Sequence, residues 1–488
     1  MTSRTAISYR LRATCGATAL AVTLCAAAMW GVPAGAAPQS TSGDLGAAAT
    51  ITGPITTGQE IEPITPRPLV LTTYGYSEQE FFVSGTATSY KPLAEPADGR
   101  WKVAPSTSAS YETRIVVRRP SDPAKFNGTV VVEWMNETAG ESDPDFEFLS
   151  PYLLSQGYAY VGVSAQKLGV DGGTKDILNS SIEGMVQKEP ARYGALHHPG
   201  DQYSFDIFAQ IGKALRDPPK AVFGGVRPKH LIATGESQSA FFLTTYVDAL
   251  APLAHVFDGY FIHSRGEGGA SLNGTSLEQT SVPKNLLVRT DLSQPVFIFE
   301  TQTDLVTLGY ALAQQPDTDR IRTWEVAGTS HVDAYEIGGA AQLLGCKSTI
   351  NDGPEHEVAQ AAFAALNRWV DKGTPPPSPA PFRLAKTNPP QLALDVHGNV
   401  IGGVRTPAVD VPVSTLSGAA QSGSSGLCVL YGQTTPFQPT TLVHLYQTKS
   451  HYLEEYTASL DRAIREGYIL HADRSELLAR AQGVAFPG

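Results

Sequence analysis

Charge is scarce in this sequence. Only 17% of its 488 residues are Asp, Glu, Lys or Arg, against about 25% in an average domain. What charge there is leans acidic, with 47 Asp and Glu against 36 Lys and Arg. An acidic surface repels phosphate backbones and anionic lipid, so neither nucleic acid nor a membrane surface is an expected partner. No Gly-rich phosphate loop follows an early strand, and no stripe of aromatic and basic residues of the kind that binds RNA or DNA is present. His356-Glu357 lacks a second His four positions after the first, where Gln360 stands, so this is no zinc-protease helix. No metal or organic cofactor is expected. Cysteine is rare as well, at four residues.

Long apolar runs are missing except at the N-terminus. There Arg4, Arg10 and Arg12 precede an Ala-rich apolar stretch over 13–30, and Ala34-Gly35-Ala36 follows as a small-residue cleavage site. The pattern reads as a signal peptide over 1–36. A membrane anchor is the weaker reading, because the run is short and soon meets Pro33 and Gly35. The expectation is therefore a secreted, extracellular protein after cleavage near Ala36, with no stable membrane insertion of the mature chain. Cleavage removes three arginines and no acid, taking the net charge from −11 to −14. Cys15 and Cys25 leave with the leader. Cys346 and Cys428 remain, an even pair in an oxidising compartment, and are expected to form one disulfide; two buried free thiols are the alternative.

Gly and Pro, at 46 and 35 residues, punctuate the rest. Residues 37–68 read as a small, polar leader segment. LVLTTYGY and FFVSGTATSY, within 69–90, and YETRIVVRR (111–119) look strand-like. From TVVVEWMN (129–136) onward, continuous apolar runs alternate with helical patterns. The strands are YAYVGVSAQ, HLIATGES, FDGYFIHSR, PVFIFET and RTWEVAG. The helices are FEFLSPYLLSQG, SFDIFAQIGKALRD, QSAFFLTTYVDALAPLA and HEVAQAAFAALNRWVDKG. Such alternation predicts an α/β architecture, a mostly parallel sheet with helices on both faces. Segments 167–203 and 266–294 break the alternation and are expected to cover the mouth of a site as lid-like insertions. PPPSPAP (375–381) marks a boundary before a C-terminal extension, 382–488.

The chemistry concentrates in HLIATGESQSAFFL. Gly235-Glu236-Ser237-Gln238-Ser239 falls between a strand and a helix, where a sharp turn lifts a Ser hydroxyl above the sheet. Residues two before and two after the Ser must be small; Gly235 and Ser239 satisfy this. The Gln238 N–H, at the new helix start, is placed to donate to an oxyanion. A Ser is a weak nucleophile until a base takes its proton. Asp304 stands just past PVFIFET, where an orienting carboxylate belongs, and His331 in the loop after RTWEVAG, where a general base belongs. Glu300, Glu325 and Asp333 are less suitable acids nearby. A second oxyanion donor is expected from the backbone of Asn136 or Glu137; alternatively the Asn136 side chain only braces that loop. Arg265 at a strand end, His198 in HHPGD and Phe241 on the helix after Ser237 are candidate substrate-binding residues.

Several stretches resemble one family of large α/β-hydrolase domain proteins common in actinobacteria. They are YETRIVVRRPSDPAKFNGTVVVEWMN, GYAYVGVSAQKLGV, ARYGALHHPGDQYSFDIFAQ, ATGESQSAFFLTTYVDA, DGYFIHSR, FAALNRWVDKGTPPP and LDVHGNVIGGVRTPAVDVP. The resemblance runs from about residue 70 to the C-terminus. It implies the α/β-hydrolase fold over 69–488, with the C-terminal extension belonging to the domain. It also implies Ser237 as nucleophile with Asp304 and His331 as partners. The expected activity is cleavage of a carboxylic ester, in a small-molecule or polymer substrate. An amidase, lactonase or peptidase on the same residues is the nearest alternative. A non-catalytic exported binding protein on a hydrolase fold is the other.

Overall fold

The structure is a computed structural model and describes residues 45–173, 181–274, 282–338, 345–421, 423 and 426–486. The expected signal peptide, and parts of both expected lids, lie outside the described residues. Nine strands among those residues form one sheet: β1 (Thr50–Thr52), β2 (Tyr76–Ala94), β3 (Lys102–Pro120), β4 (Thr129–Trp134), β5 (Ala159–Val163), β6 (His230–Glu236), β7 (Gly259–His263), β8 (Val296–Glu300) and β9 (Ile321–Glu325). Their spatial order is β1-β2-β3-β5-β4-β6-β7-β8-β9. From β5 to β9 all neighbours run parallel. The other three join as an antiparallel edge. Every residue of β4, β5, β7 and β8 is buried, which is why these strands read as unbroken apolar runs.

Helices cover both faces. They are α1 (Pro144–Gln156), α2 (Ser204–Arg216), α3 (Gln238–Thr245), α4 (Gln302–Val306), α5 (Ala334–Ile337), α6 (Glu355–Lys372) and α7 (Lys449–Glu466). On one face Phe205, Phe208 and Phe242 surround Trp134 with ring centroids 5.7, 4.9 and 5.2 Å away. On the other, Phe146, Phe363, Tyr452 and Leu460 share a buried cluster with Phe297 and Trp324. Each such side chain contributes about 1.5–3 kcal/mol on burial. Helices α1 and α6 stop at Gly157 and Gly373, both in the left-handed conformation.

The single acid inside β4 has a structural reason. Glu133 accepts hydrogen bonds from the Asp145 and Phe146 N–H groups at 3.0 Å each and from the Tyr160 hydroxyl at 2.9 Å. It thereby satisfies donors at the start of α1 that no helix can satisfy for itself.

The structure differs from the sequence expectations in three places. Residues 45–68 are not a loose leader: β1 pairs with β2, and Leu45, Ala49 and Ile51 are buried in the core, so the domain is already under way at residue 45. LVLTTYGY is not a strand, because Leu71–Tyr74 forms a 3-10 turn closed by Gly75 at φ 73°. The helix after Ser237 loosens into a π-helical turn over Tyr246–Leu250. The C-terminal extension is integral. Val404 pairs with Val326 just past β9, α7 joins the apolar cluster that holds α6, and Cys346 and Cys428 form a disulfide with Cα atoms 5.6 Å apart.

Candidate active site

Ser237 sits between β6 and α3 at φ 55°, ψ −120°, a conformation that a side-chain-bearing residue adopts only when its surroundings enforce it. The close approach of strand and helix is measurable at Gly235, where a Cβ would stand 3.1 Å from the Ser239 carbonyl oxygen. Ser239 is itself fully buried. The small residues of the motif are therefore demanded by packing, and the strained turn carries the Ser237 side chain off the strand end.

That side chain meets His331. The Ser237 Oγ lies 2.6 Å from His331 Nε2, and His331 Nδ1 lies 2.6 Å from Asp304 Oδ1. Asp304 is completely buried and His331 nearly so. The second carboxylate oxygen of Asp304 accepts from the Ser264 hydroxyl at 2.9 Å, the Thr301 N–H at 2.6 Å and the Thr301 hydroxyl at 2.7 Å. Thr301 is the N-cap of α4, so the helix start that carries Asp304 also locks its carboxylate. The extension buttresses the same loops: Thr303 Oγ1 donates to the Gly418 carbonyl at 2.6 Å, and the Gly418 N–H donates to Gln302 Oε1 at 3.2 Å. The rival acids are engaged elsewhere. Asp333 caps α5 through the Glu336 N–H, Glu325 accepts from the Gln314 side chain and the Phe382 N–H, and Glu300 is buried within β8.

The loop after β4 approaches the elbow through two residues. The Glu137 N–H donates to the Gln238 side-chain Oε1 at 3.3 Å. Gln238 Nε2 in turn donates to Gln166 Oε1 at 3.0 Å, which also accepts from Trp134 Nε1 at 3.2 Å. This chain of bonds fixes which way both amides face. The Gln238 N–H begins α3 and has no partner inside the helix. Asn136 does not fit a donor role, because its N–H is bonded to the Ser142 carbonyl at 2.9 Å. Its side chain braces the loop instead, donating to the Glu236 carbonyl at 3.1 Å and to Glu236 Oε2 at 3.3 Å.

Two of the three candidate substrate-binding residues are sequestered. Arg265 has no exposed surface, and its guanidinium donates to the carbonyls of Gly266 and Leu286. His198 is buried, with Nε2 2.9 Å from the Ala165 carbonyl and Nδ1 accepting from the Gly200 N–H at 3.2 Å. Arg265 Nη1 is left without a hydrogen-bond partner but is buried with the rest of the side chain, and His198 would have to give up its two bonds to meet a ligand. Phe241 is half-buried and packs against Gly266, while Phe205 and Phe242 belong to the core. The described parts of both insertions flank the elbow, Gly169 lying against Glu137 and Gly266 against Phe241.

Carboxyls crowd the region. Burial, followed by the charges of Glu336, Asp145, Asp304 and Glu133, pushes Glu236 well above the ordinary carboxylate range. Burial and the neighbouring Glu141 do the same to Glu137. The contacts missed in the sequence are those of Glu236, Ser264, Thr301 and Gln166. Ser264 stands at φ 55° just past β7, and no local pattern marks it.

The chain belongs to the alpha/beta hydrolase domain family, whose sequence model matches residues 51–479. No curated protein matches it significantly. Similar solved structures include Thermogutta terrifontis esterase 2 phosphoramylated by tabun, at 12% identity over 60% of this chain and 97% of that one, with a TM-score of 0.31. A CE15 glucuronoyl esterase from Teredinibacter turnerae matches at 14% identity over 57% and 74%, with a TM-score of 0.29. A glucuronoyl esterase from Solibacter usitatus matches at 11% identity over 58% and 83%, with a TM-score of 0.30.

Proposed function

From that membership we propose that the chain is a secreted serine hydrolase that cleaves a carboxylic ester through an acyl-enzyme. Ser237 is the nucleophile, His331 the general base and Asp304 the acid that orients it. The observation that carries this reading is the unbroken contact from Ser237 Oγ to His331 to Asp304, 2.6 Å at each step, joining residues far apart in the chain. His331 takes the Ser237 proton as the hydroxyl oxygen attacks the ester carbonyl. The Gln238 N–H holds the oxyanion, joined by the Glu137 N–H when that group exchanges its 3.3 Å bond to Gln238 Oε1 for the oxyanion. Loss of one such donor costs about 3–4 kcal/mol of transition-state stabilisation. His331 then protonates the leaving alcohol. It next takes a proton from water, whose oxygen attacks the acyl carbonyl, and returns that proton to Ser237 Oγ as the acyl–oxygen bond breaks and the acid leaves. No metal or organic cofactor takes part. Export rests on the N-terminal leader, cleaved near Ala36, and agrees with a disulfide in an oxidising compartment.

The test is labelling with a fluorophosphonate probe, alongside turnover of p-nitrophenyl and natural esters of graded size. Wild type is expected to label and turn over, and Ser237→Ala to do neither. Labelling that survives Ser237→Ala overturns the assignment. Turnover of amides or lactones in preference to every ester moves the substrate class.

A further inference from the structure

We propose that Glu236, the residue before the nucleophile, is a positioning acid for His331, its carboxylate favouring the imidazolium that forms when the ring takes the Ser237 proton. This rests on the triad reading above. Glu236 Oε1 lies 3.5 Å from His331 Nε2, the nitrogen that faces Ser237. Its other oxygen, Oε2, is held by the Asn136 side chain at 3.3 Å, which also grips the Glu236 carbonyl. Oε1 is left buried with no hydrogen-bond partner. An acceptor in that state carries an uncompensated desolvation cost. The one positive charge the reaction creates appears next to it.

The two contacts at Nε2 divide the work. The one ring lone pair at Nε2 accepts from Ser237 Oγ at 2.6 Å, and a carboxylate oxygen has no hydrogen to donate to it. Glu236, nearly an ångström farther, acts through its charge. The proton moves from Ser237 Oγ to Nε2 and on to the leaving alcohol, and Glu236 neither gains nor loses it. His331 thus has an acid on each side, Asp304 at Nδ1 and Glu236 at Nε2. The second differs from the first in feeling the ring only once it is charged at Nε2.

Several ionisable groups face Glu236. They are Glu133 of β4, Asp145 at the start of α1, Asp304 of α4, Glu336 of α5 and Glu355 of α6, with His263 of β7 beside it in register. Burial and these acids raise its pKa, and the imidazolium 3.5 Å away is the charge that opposes them, so its carboxylate form is favoured when the ring is protonated. Loss of the Glu236 proton is therefore coupled to loss of the ring proton, and the acid limb of the rate profile belongs to the pair. The sign follows. A carboxylate beside Nε2 favours the protonated ring, so the limb lies at higher pH with it than without it.

Glu236→Gln keeps the shape and an acceptor for Asn136 but removes the charge. With p-nitrophenyl acetate as substrate, kcat is expected to fall about tenfold with KM little changed, and the acid limb of kcat/KM to move about one unit to lower pH. Glu236→Asp, which keeps the charge but draws it back by one methylene, is expected to lie between wild type and Gln in both quantities. It also serves if Gln fails to fold. A wild-type acid limb in both variants overturns the proposal, including the case where activity falls at all pH values alike, since that marks a structural role. Activity and probe labelling that persist in Ser237→Ala defeat the triad reading instead, a separate result.

Discussion

Asp304→Asn should lower kcat by about four orders of magnitude and leave the fold intact. The reason lies in which way the new amide must face. In the native protein one carboxylate oxygen receives three donors, from Ser264 Oγ, Thr301 N and Thr301 Oγ1, and the other receives His331 Nδ1. An amide has one acceptor end and one donor end. Its oxygen is held at the three-donor side, because the NH2 placed there would confront a backbone N–H that cannot turn away. The NH2 is then aimed at His331 Nδ1. That nitrogen must accept, so the ring proton moves to Nε2, the atom that takes the Ser237 proton in the proposed mechanism. The ring is present, correctly placed and in the wrong tautomer.

A factor of about 10⁴ corresponds to about 5.5 kcal/mol of transition-state free energy, as expected when the orienting acid of a triad becomes an amide. Stability should change little, because the three donors at Oδ2 keep an acceptor and no cavity is opened. The assay is p-nitrophenyl ester turnover from pH 6 to 10, with thermal unfolding on the same samples. Retention of more than about a tenth of wild-type kcat at neutral pH, with an unchanged melting temperature, would refute the tautomer argument. Loss of activity accompanied by a large fall in melting temperature would show that Asp304 acts mainly by holding the α4 loop.

A Cβ placed on Gly418 would lie 2.6 Å from Gln302 Cβ and 2.7 Å from both the Thr303 nitrogen and the Thr329 carbonyl oxygen, so Gly418→Ala should displace the loops bearing Asp304 and His331 and lower kcat about tenfold, read against KM in steady-state kinetics. Replacing Cys346 and Cys428 together by Ser opens a link spanning 82 residues. The chain-entropy estimate for such a loop is about 4.5 kcal/mol, and a measured loss of about 2–4 kcal/mol in urea unfolding is expected. Burial pushes Glu147 and Asp333 up to about 7 and Glu357 up to about 8, whereas in the unfolded chain all three are ionised by pH 6.5. Their contribution is therefore full only below about pH 4, the ordinary carboxylate value, and is lost progressively as pH rises, the last of it near pH 8. The urea midpoint should fall between pH 6.5 and 8.5, and a rising midpoint would refute the assignment.

The parts of this enzyme candidate that can be read along the chain are those whose cause is local. The turn at Ser237 demands small neighbours within two residues on either side, and a buried parallel strand demands consecutive apolar residues. Both demands are written where they act, so the sheet from β4 to β9 and the sharp turn at Ser237 are legible in sequence. The donors and acids around the site are different. Glu236 reads as an acid of no particular use until the fold brings the loop after β9 across the end of β6 and sets its carboxylate against His331. Arg265 reads as a free cation at a strand end until Leu286, 21 residues on, supplies the carbonyl that occupies it. In each case the deciding partner lies on another element, and its approach depends on packing that no short pattern encodes. The segment before β2 failed for a related reason: three residues of β1 are too few to carry a periodic signal, yet a long neighbour such as β2 is enough to order them. A buried group therefore reveals its role only through what is left unpaired around it. The free oxygen of Glu236, not its position in a motif, is the feature that ties it to the charge proposed to form on His331.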